Sequence, residues 1–159
     1  MSNLKRAFAF ERAKNDVKYF YKWLGYSWGK HINEWMDMYS ADDGMHINRV
    51  CIIAPRSHSK SVTLGVKLLH MSLFQKFNGK PMDIWLFSAS QDTAKRRLAE
   101  IRKDLTTHKE LSRYLNTKKG GKEELWLTNG AVIRCSSVGS AIRGDHPAVV
   151  ALDDVLLDA

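Results

Sequence analysis

Five short apolar runs, separated by segments of helical spacing or turn chemistry, confine this chain to an α/β fold. The runs are Val50–Ala54, Ile84–Phe87, Leu125–Leu127, Val132–Arg134 and Ala148–Leu152. Runs such as Val50–Ala54 and Ala148–Leu152 are typical of strands buried in a parallel sheet, whereas Leu125–Leu127 and Val132–Arg134 flank a turn. After the first, Pro55 to Ser59 reads as a loop, and Lys60 to about Phe77 follows helical spacing through Val62, Val66, Leu69 and Leu73. Asn78-Gly79-Lys80-Pro81 ends that helix. After the second run, Ser88-Ala89-Ser90-Gln91-Asp92 leads into a helix with the apolar stripe Ala94, Leu98, Ile101 and Leu105, and Gln91 and Asp92 read as its capping residues. Asn129-Gly130 between the third and fourth runs is a hairpin signal. Strand, helix, strand, helix, hairpin, strand implies a mainly parallel sheet with flanking helices.

A helical segment precedes this core. Arg6 to Leu24 is expected to form one helix with Phe10, Val17, Phe20, Tyr21 and Leu24 on its buried side, and His31 to Tyr39 a second with Trp35, Met36 and Tyr39. Asp42-Asp43-Gly44 is a turn signal, so residues 1–45 read as the helical segment and 46–159 as the α/β core. At 159 residues the chain has room for one domain with a hydrophobic core. Cys51 and Cys135 lie within apolar runs and are expected as buried free thiols. No cluster of His and Cys has zinc-ligand spacing. No apolar stretch approaches the ~20 residues a membrane span needs, and the N-terminus meets charge too soon for a signal peptide. A soluble protein of the cell interior is expected.

The net charge is +8 and the pI about 9.6, which favours an anionic partner. The excess is local. Between Lys95 and Lys122 ten Lys/Arg face three acids, a balance of +7. That patch is either a nucleic-acid surface or a solvated helix face and loop.

Two segments carry chemistry. The phosphate-binding pattern G-x-x-x-x-G-K-S/T, set between a strand and a helix, cradles phosphates with backbone N–H groups and the helix N-terminus. Ala54-Pro55-Arg56-Ser57-His58-Ser59-Lys60-Ser61 fits that frame with Lys60 and Ser61 in the last two positions, and with Ala54 and Ser59 in place of both glycines. A lysine in a first helical turn opposes the helix dipole, which a bound anion would relieve. The alternative is an ordinary strand-to-helix turn with a solvated lysine. Downstream, Val149-Val150-Ala151-Leu152 delivers Asp153 and Asp154 at a C-terminal strand end, the edge where α/β sheets bind ligands. Asp153 suits the Mg2+ shell and Asp154 the orientation of attacking water. A strand-ending turn is the plainer reading of that pair.

Taken in order, these segments resemble the variant Walker A and Walker B motifs of tailed-bacteriophage terminase large subunits. His31-Ile32-Asn33-Glu34-Trp35, Ser88-Ala89-Ser90-Gln91-Asp92-Thr93-Ala94 and Ile142-Arg143-Gly144 are similar to segments of that family, so the likeness spans roughly residues 20 to 158. The resemblance implies a P-loop NTPase of the ASCE-like type, with ATP and Mg2+ as cofactors. Lys60, Arg56 and Asp154 would act in catalysis, residues 54–61 would bind the nucleotide, and Ser61 and Asp153 would hold the metal. Arg56 would stabilise the γ-phosphate, or else pair with a local carboxylate. Arg143 would approach DNA or a neighbouring subunit, or simply form a turn. The implied role is a viral DNA-packaging motor in the host cytoplasm. Its implied partners are double-stranded DNA, the terminase small subunit and the portal of the procapsid, with no membrane. It would work as a homo-oligomeric ring.

The family continues well past the strand ending at Asp154, into further ATPase strands and a nuclease domain. The chain is therefore expected to form an incomplete core, completed by a separate polypeptide or part of a longer one, with an exposed sheet edge. No nuclease activity is assigned to it. Two other readings stay open. One is a helicase-like P-loop motor, and the other is a non-catalytic basic DNA-binding or assembly module.

Overall fold

A computed structural model describes residues 3–40, 50–55, 58–140 and 146–155. Its contacts divide the chain into two compact units, Met1–Lys67 and Leu68–Ala159. The division falls inside a helix, so residues 46–67, expected with the core, segregate with the N-terminal helices.

The first unit holds helices α1 (Asn3–Asn15), α2 (Val17–Trp23) and α3 (Lys30–Ser40), and the start of α4 (Lys60–Phe74). The single helix expected from Arg6 to Leu24 is broken at Asp16. That residue takes an extended backbone and its carboxylate accepts a hydrogen bond from Tyr19 N at 2.9 Å, which caps α2. An aspartate offers the backbone an alternative to a continuous helix, and here that alternative wins. Phe10, Phe20 and Trp23 cluster across the break, with ring centroids 5.7 and 6.0 Å from Trp23. Ile32 and Met36, four apart on α3, are both fully buried.

The strand expected at Val50–Ala54 does not form. Residues 50–55 have no regular secondary structure, Ile53 is 95% exposed, and Cys51 is exposed rather than buried. An apolar run becomes a strand only with a ladder partner for its backbone groups, and among the described residues this run has none.

The second unit contains the rest of α4, a two-residue antiparallel pair β1 (Lys76–Phe77) and β2 (Lys80–Pro81), and a four-stranded sheet. That sheet comprises β3 (Asp83–Ser88), β4 (Glu124–Trp126), β5 (Val132–Ser137) and β6 (Val149–Leu152), in the order β4-β5-β3-β6. β3 runs parallel to both β5 and β6, whereas β4 is antiparallel to β5, so the sheet is mixed. The hairpin joining β4 and β5 turns at Gly130, whose φ of +89° suits glycine. Asn129 there donates to the carbonyls of Ser72 and Leu73, satisfying acceptors at the end of α4.

Helix α5 (Gln91–Thr107) lies against β3 and β5. Its stripe of Ala94, Leu98, Ile101 and Leu105 is buried as expected, and each of its Leu and Ile side chains stabilises the unit by about 2 kcal/mol. α6 (Lys109–Ser112) follows after a sharp change of direction at His108. β3 is buried on one face only: Ile84, Leu86 and Ser88 are enclosed, while Trp85 and Phe87 are half-buried on the other. β6 is the sheet's edge among the described residues, and its Val150 and Leu152 are 57% and 59% exposed. It is an edge strand with one open face, not the doubly buried strand its apolar run suggested.

Candidate functional site

Within the first unit, the loop before α4 has one unusual backbone. Ser59 has φ +59°, the left-handed conformation, at the position where the phosphate-binding pattern carries glycine. For an L-residue this costs roughly 1–2 kcal/mol, and such strain persists only where the surroundings enforce it. They do so here. The Ser59 carbonyl accepts from both Thr63 N and Thr63 Oγ1, each at 2.8 Å. The Tyr21 side chain hydrogen-bonds to the side chains of Thr63 and Ser59, and burial raises the phenol's pKa above its ordinary value. Tyr21 is held in turn by Tyr26 and Trp28, at ring centroid distances of 5.2 and 5.7 Å.

Lys60 and Ser61 open α4, whose first turn carries no acidic residue. Lys60 stands at the positive end of the α4 dipole, where an anion is favoured. Beside the loop lies a cleft of about 340 Å³ lined by Ser27, Trp28, Gly29, His31, Ile32, His58 and Ser59. The His31 and His58 rings meet edge to face at 5.7 Å, and His31 packs on Trp35 at 5.0 Å. Of the expected phosphate-loop residues, Ala54 is half-buried and Pro55 and His58 are exposed, while Arg56 and Ser57 lie outside the described residues. Arg143 and Gly144 lie outside them too.

Within the second unit, the Asp153–Asp154 pair follows β6 directly. Asp153 N donates to Phe87 O at 2.8 Å, and Ala89 N donates to Asp154 O at 3.2 Å, so the pair prolongs the β3–β6 ladder. Asp154 has φ +48°, a left-handed conformation that aspartate tolerates better than most residues. Asp153 is only 5% exposed. Its Oδ2 lies 2.9 Å from Arg97 Nε, and Asp154 Oδ2 lies 3.4 Å from Arg97 Nη2. The first contact has ion-pair distance without hydrogen-bond direction, since Arg97 Nε has no directed acceptor. Arg97 also pairs with Glu100 at 3.1 Å. Burial alone would lower the guanidinium's pKa, but Glu100, Asp153 and Asp154 outweigh it and the net shift is upward.

From the sequence, Arg97 counts only within the 95–122 basic patch, as a nucleic-acid contact or a solvated charge, and not beside the aspartates. Its spacing held the clue: three residues after Ala94 and four before Ile101, it belongs to the buried face. Ser88, at the end of β3, is fully buried with no partner for its hydroxyl. The parallel register, with Phe87 opposite Leu152, sets Ser88 beside Asp153 on the same face. The capping assignment also shifts. Ser90, not Gln91 or Asp92, caps α5 by accepting from Thr93 N, while Gln91 Oε1 accepts from Ser137 N at 3.0 Å.

The basic patch is partly committed to structure. Lys95 pairs with Glu123 at 2.8 Å, Arg97 with the carboxylates above, and Arg102 donates to the carbonyls of Gly121 and Glu124. Lys119 lies over the Trp126 ring at 5.1 Å. Arg96, Lys103, Lys109, Arg113, Lys118, Lys119 and Lys122 are exposed.

Among the described residues no group of three or more His, Cys, Asp or Glu could hold a metal ion. Mg2+ asks less of a protein, since one or two carboxylates beside substrate phosphates suffice. Asp153, Asp154 and the unsatisfied Ser88 hydroxyl match that requirement. No helix among the described residues is long and apolar enough to cross a membrane. No family model matches the chain, and neither the curated proteins nor the solved structures provide a match.

Proposed function

We propose that the chain binds ATP with Mg2+ through the loop leading into α4, and that it is the ATPase part of a nucleic-acid motor of the terminase large-subunit type. The observation that carries this reading is Ser59. A serine held left-handed where the pattern requires glycine, directly before a Lys-Ser pair opening a 15-residue helix, supports a phosphate loop over an ordinary turn. Lys60 would neutralise the phosphates and Ser61 would contribute a hydroxyl to the metal. The cleft beside the loop, with Trp28, His31 and His58, offers aromatic surface for the base.

Asp153 is the carboxylate suited to the metal shell and Asp154 to the orientation of water. In hydrolysis water attacks the γ-phosphorus, the bond from that phosphorus to the β–γ bridging oxygen breaks, and ADP and inorganic phosphate leave. Arg56 is proposed to stabilise the charge on the γ-phosphate. Magnesium, when bound, shields the phosphate oxygens and stabilises the charge that develops there. Double-stranded DNA, a small subunit, a portal and a ring of like chains are the proposed partners in the host cytoplasm.

The runner-up is a basic DNA-binding or assembly module without nucleotide chemistry, which the seven exposed cations of the 95–122 patch favour. Binding to a labelled duplex with and without MgATP separates the two. The motor reading predicts that nucleotide changes DNA affinity at fixed salt. Affinity that follows salt alone, with no response to nucleotide, supports the module instead.

A further inference from the structure

We propose that Arg97 is a positioning residue that sets how tightly the Asp153–Asp154 carboxylates take a divalent cation, by holding both as its own counter-ions and yielding them when the cation binds. The inference rests on the magnesium reading above and adds a competitor to it.

Four observations carry it. First, one guanidinium reaches both carboxylates, at 2.9 Å to Asp153 Oδ2 and 3.4 Å to Asp154 Oδ2. A cation entering between those oxygens therefore meets a positive charge already there, and must displace it or share with it. Second, the Asp153 contact lacks hydrogen-bond direction, so it is a contact of charge that a better-placed cation can replace. Third, Arg97 has somewhere to go. Glu100 Oε2 lies 3.1 Å from Nη1, so releasing the aspartates does not leave a half-buried guanidinium without an anion. Fourth, the buried Ser88 hydroxyl has no partner and stands beside Asp153 in the β3–β6 register. A buried oxygen without a protein partner at that place in the register leaves a ligating atom open beside the carboxylates. A purely structural tie between α5 and the end of β6 needs neither Glu100 nor an orphaned hydroxyl.

The experiment is calorimetric titration of Mn2+, as a stand-in for Mg2+, into the full chain at pH 8. Wild type, Arg97→Gln and Arg97→Lys are compared. Removing the competing charge should tighten Mn2+ binding by about tenfold or more, whereas Arg97→Lys keeps the charge and should stay within about threefold of wild type. Unchanged or weaker binding by a folded Arg97→Gln chain overturns the inference and leaves the magnesium reading standing. No Mn2+ binding by any of the three chains removes the magnesium reading and the inference with it. If Arg97→Gln does not fold, labelling of the wild-type chain by phenylglyoxal decides. Peptide mapping should show Arg97 labelled faster in the presence of Mn2+, and labelling that is slowed or unaltered overturns the proposal.

Discussion

Substituting Ser59 probes the loop more sharply than substituting any charged residue, because its backbone conformation is the feature to be tested. At φ +59° the L-side chain costs roughly 1–2 kcal/mol. Ser59→Gly removes that cost. Against it stand roughly 0.4–1 kcal/mol of added freedom in the unfolded chain, and about 1 kcal/mol for the lost hydroxyl contact with Tyr21. These terms nearly cancel, so Ser59→Gly should change unfolding free energy by less than about 1 kcal/mol and keep nucleotide affinity. Ser59→Val has no such offset. A β-branched residue fits the left-handed region worse and cannot bond to Tyr21, so a loss of about 2 kcal/mol or a reshaped loop follows. Urea denaturation, followed by Trp fluorescence, measures the first quantity, and MgATP titration measures the second. The expected result is glycine near wild type and valine at least about tenfold weaker for nucleotide. Valine binding nucleotide as well as serine would refute the reasoning, since the left-handed residue would then have no part in holding phosphate. A glycine variant destabilised by more than about 2 kcal/mol would refute it from the other side.

Two further predictions use other parts of the molecule. Burial, with a smaller contribution from Glu123, pushes the Cys135 thiol up to about 11 from its ordinary 9.0. The folded chain therefore keeps its proton where the unfolded chain loses it, so this contribution to stability is complete below pH 9 and falls as pH rises towards 11, by about 2–3 kcal/mol. Iodoacetamide at pH 8 should label exposed Cys51 and spare Cys135 until the chain unfolds, and equal labelling of the native chain would contradict the burial described. For the basic patch, Arg96→Ala with Lys103→Ala should reduce the salt dependence of duplex binding by up to about 0.9 in log–log slope per lost phosphate contact. An unchanged slope would make those cations a solvated face.

Much of the second unit was legible because its signals are local. The α5 stripe, the Asn129-Gly130 hairpin and the β3 run each specify their element from neighbouring residues, and each formed within a residue or two of expectation. Failures came where partners decide. Val50–Ala54 looks as much like a buried strand as Ile84–Phe87 does, yet among the described residues only the second has neighbours to complete its ladder. Asp16 broke a helix because a single capping bond competed with an unbroken apolar face. The candidate site was half legible. Lys60, Ser61, Asp153 and Asp154 follow from motif order, but the left-handed Ser59 and its Tyr21 support depend on contacts between α2 and α4. Arg97 was hidden for a related reason: its spacing matches the buried face, while its charge suggests solvent.

The role proposed for the loop before α4 is to hold the phosphates of ATP. Its most direct test is MgATP binding by the folded chain beside Lys60→Ala, measured by calorimetry with hydrolysis followed in parallel. The account predicts binding by the wild type and a loss of at least about tenfold in affinity on removing the ammonium. Equal binding by both chains, or none by a demonstrably folded wild type, would contradict it.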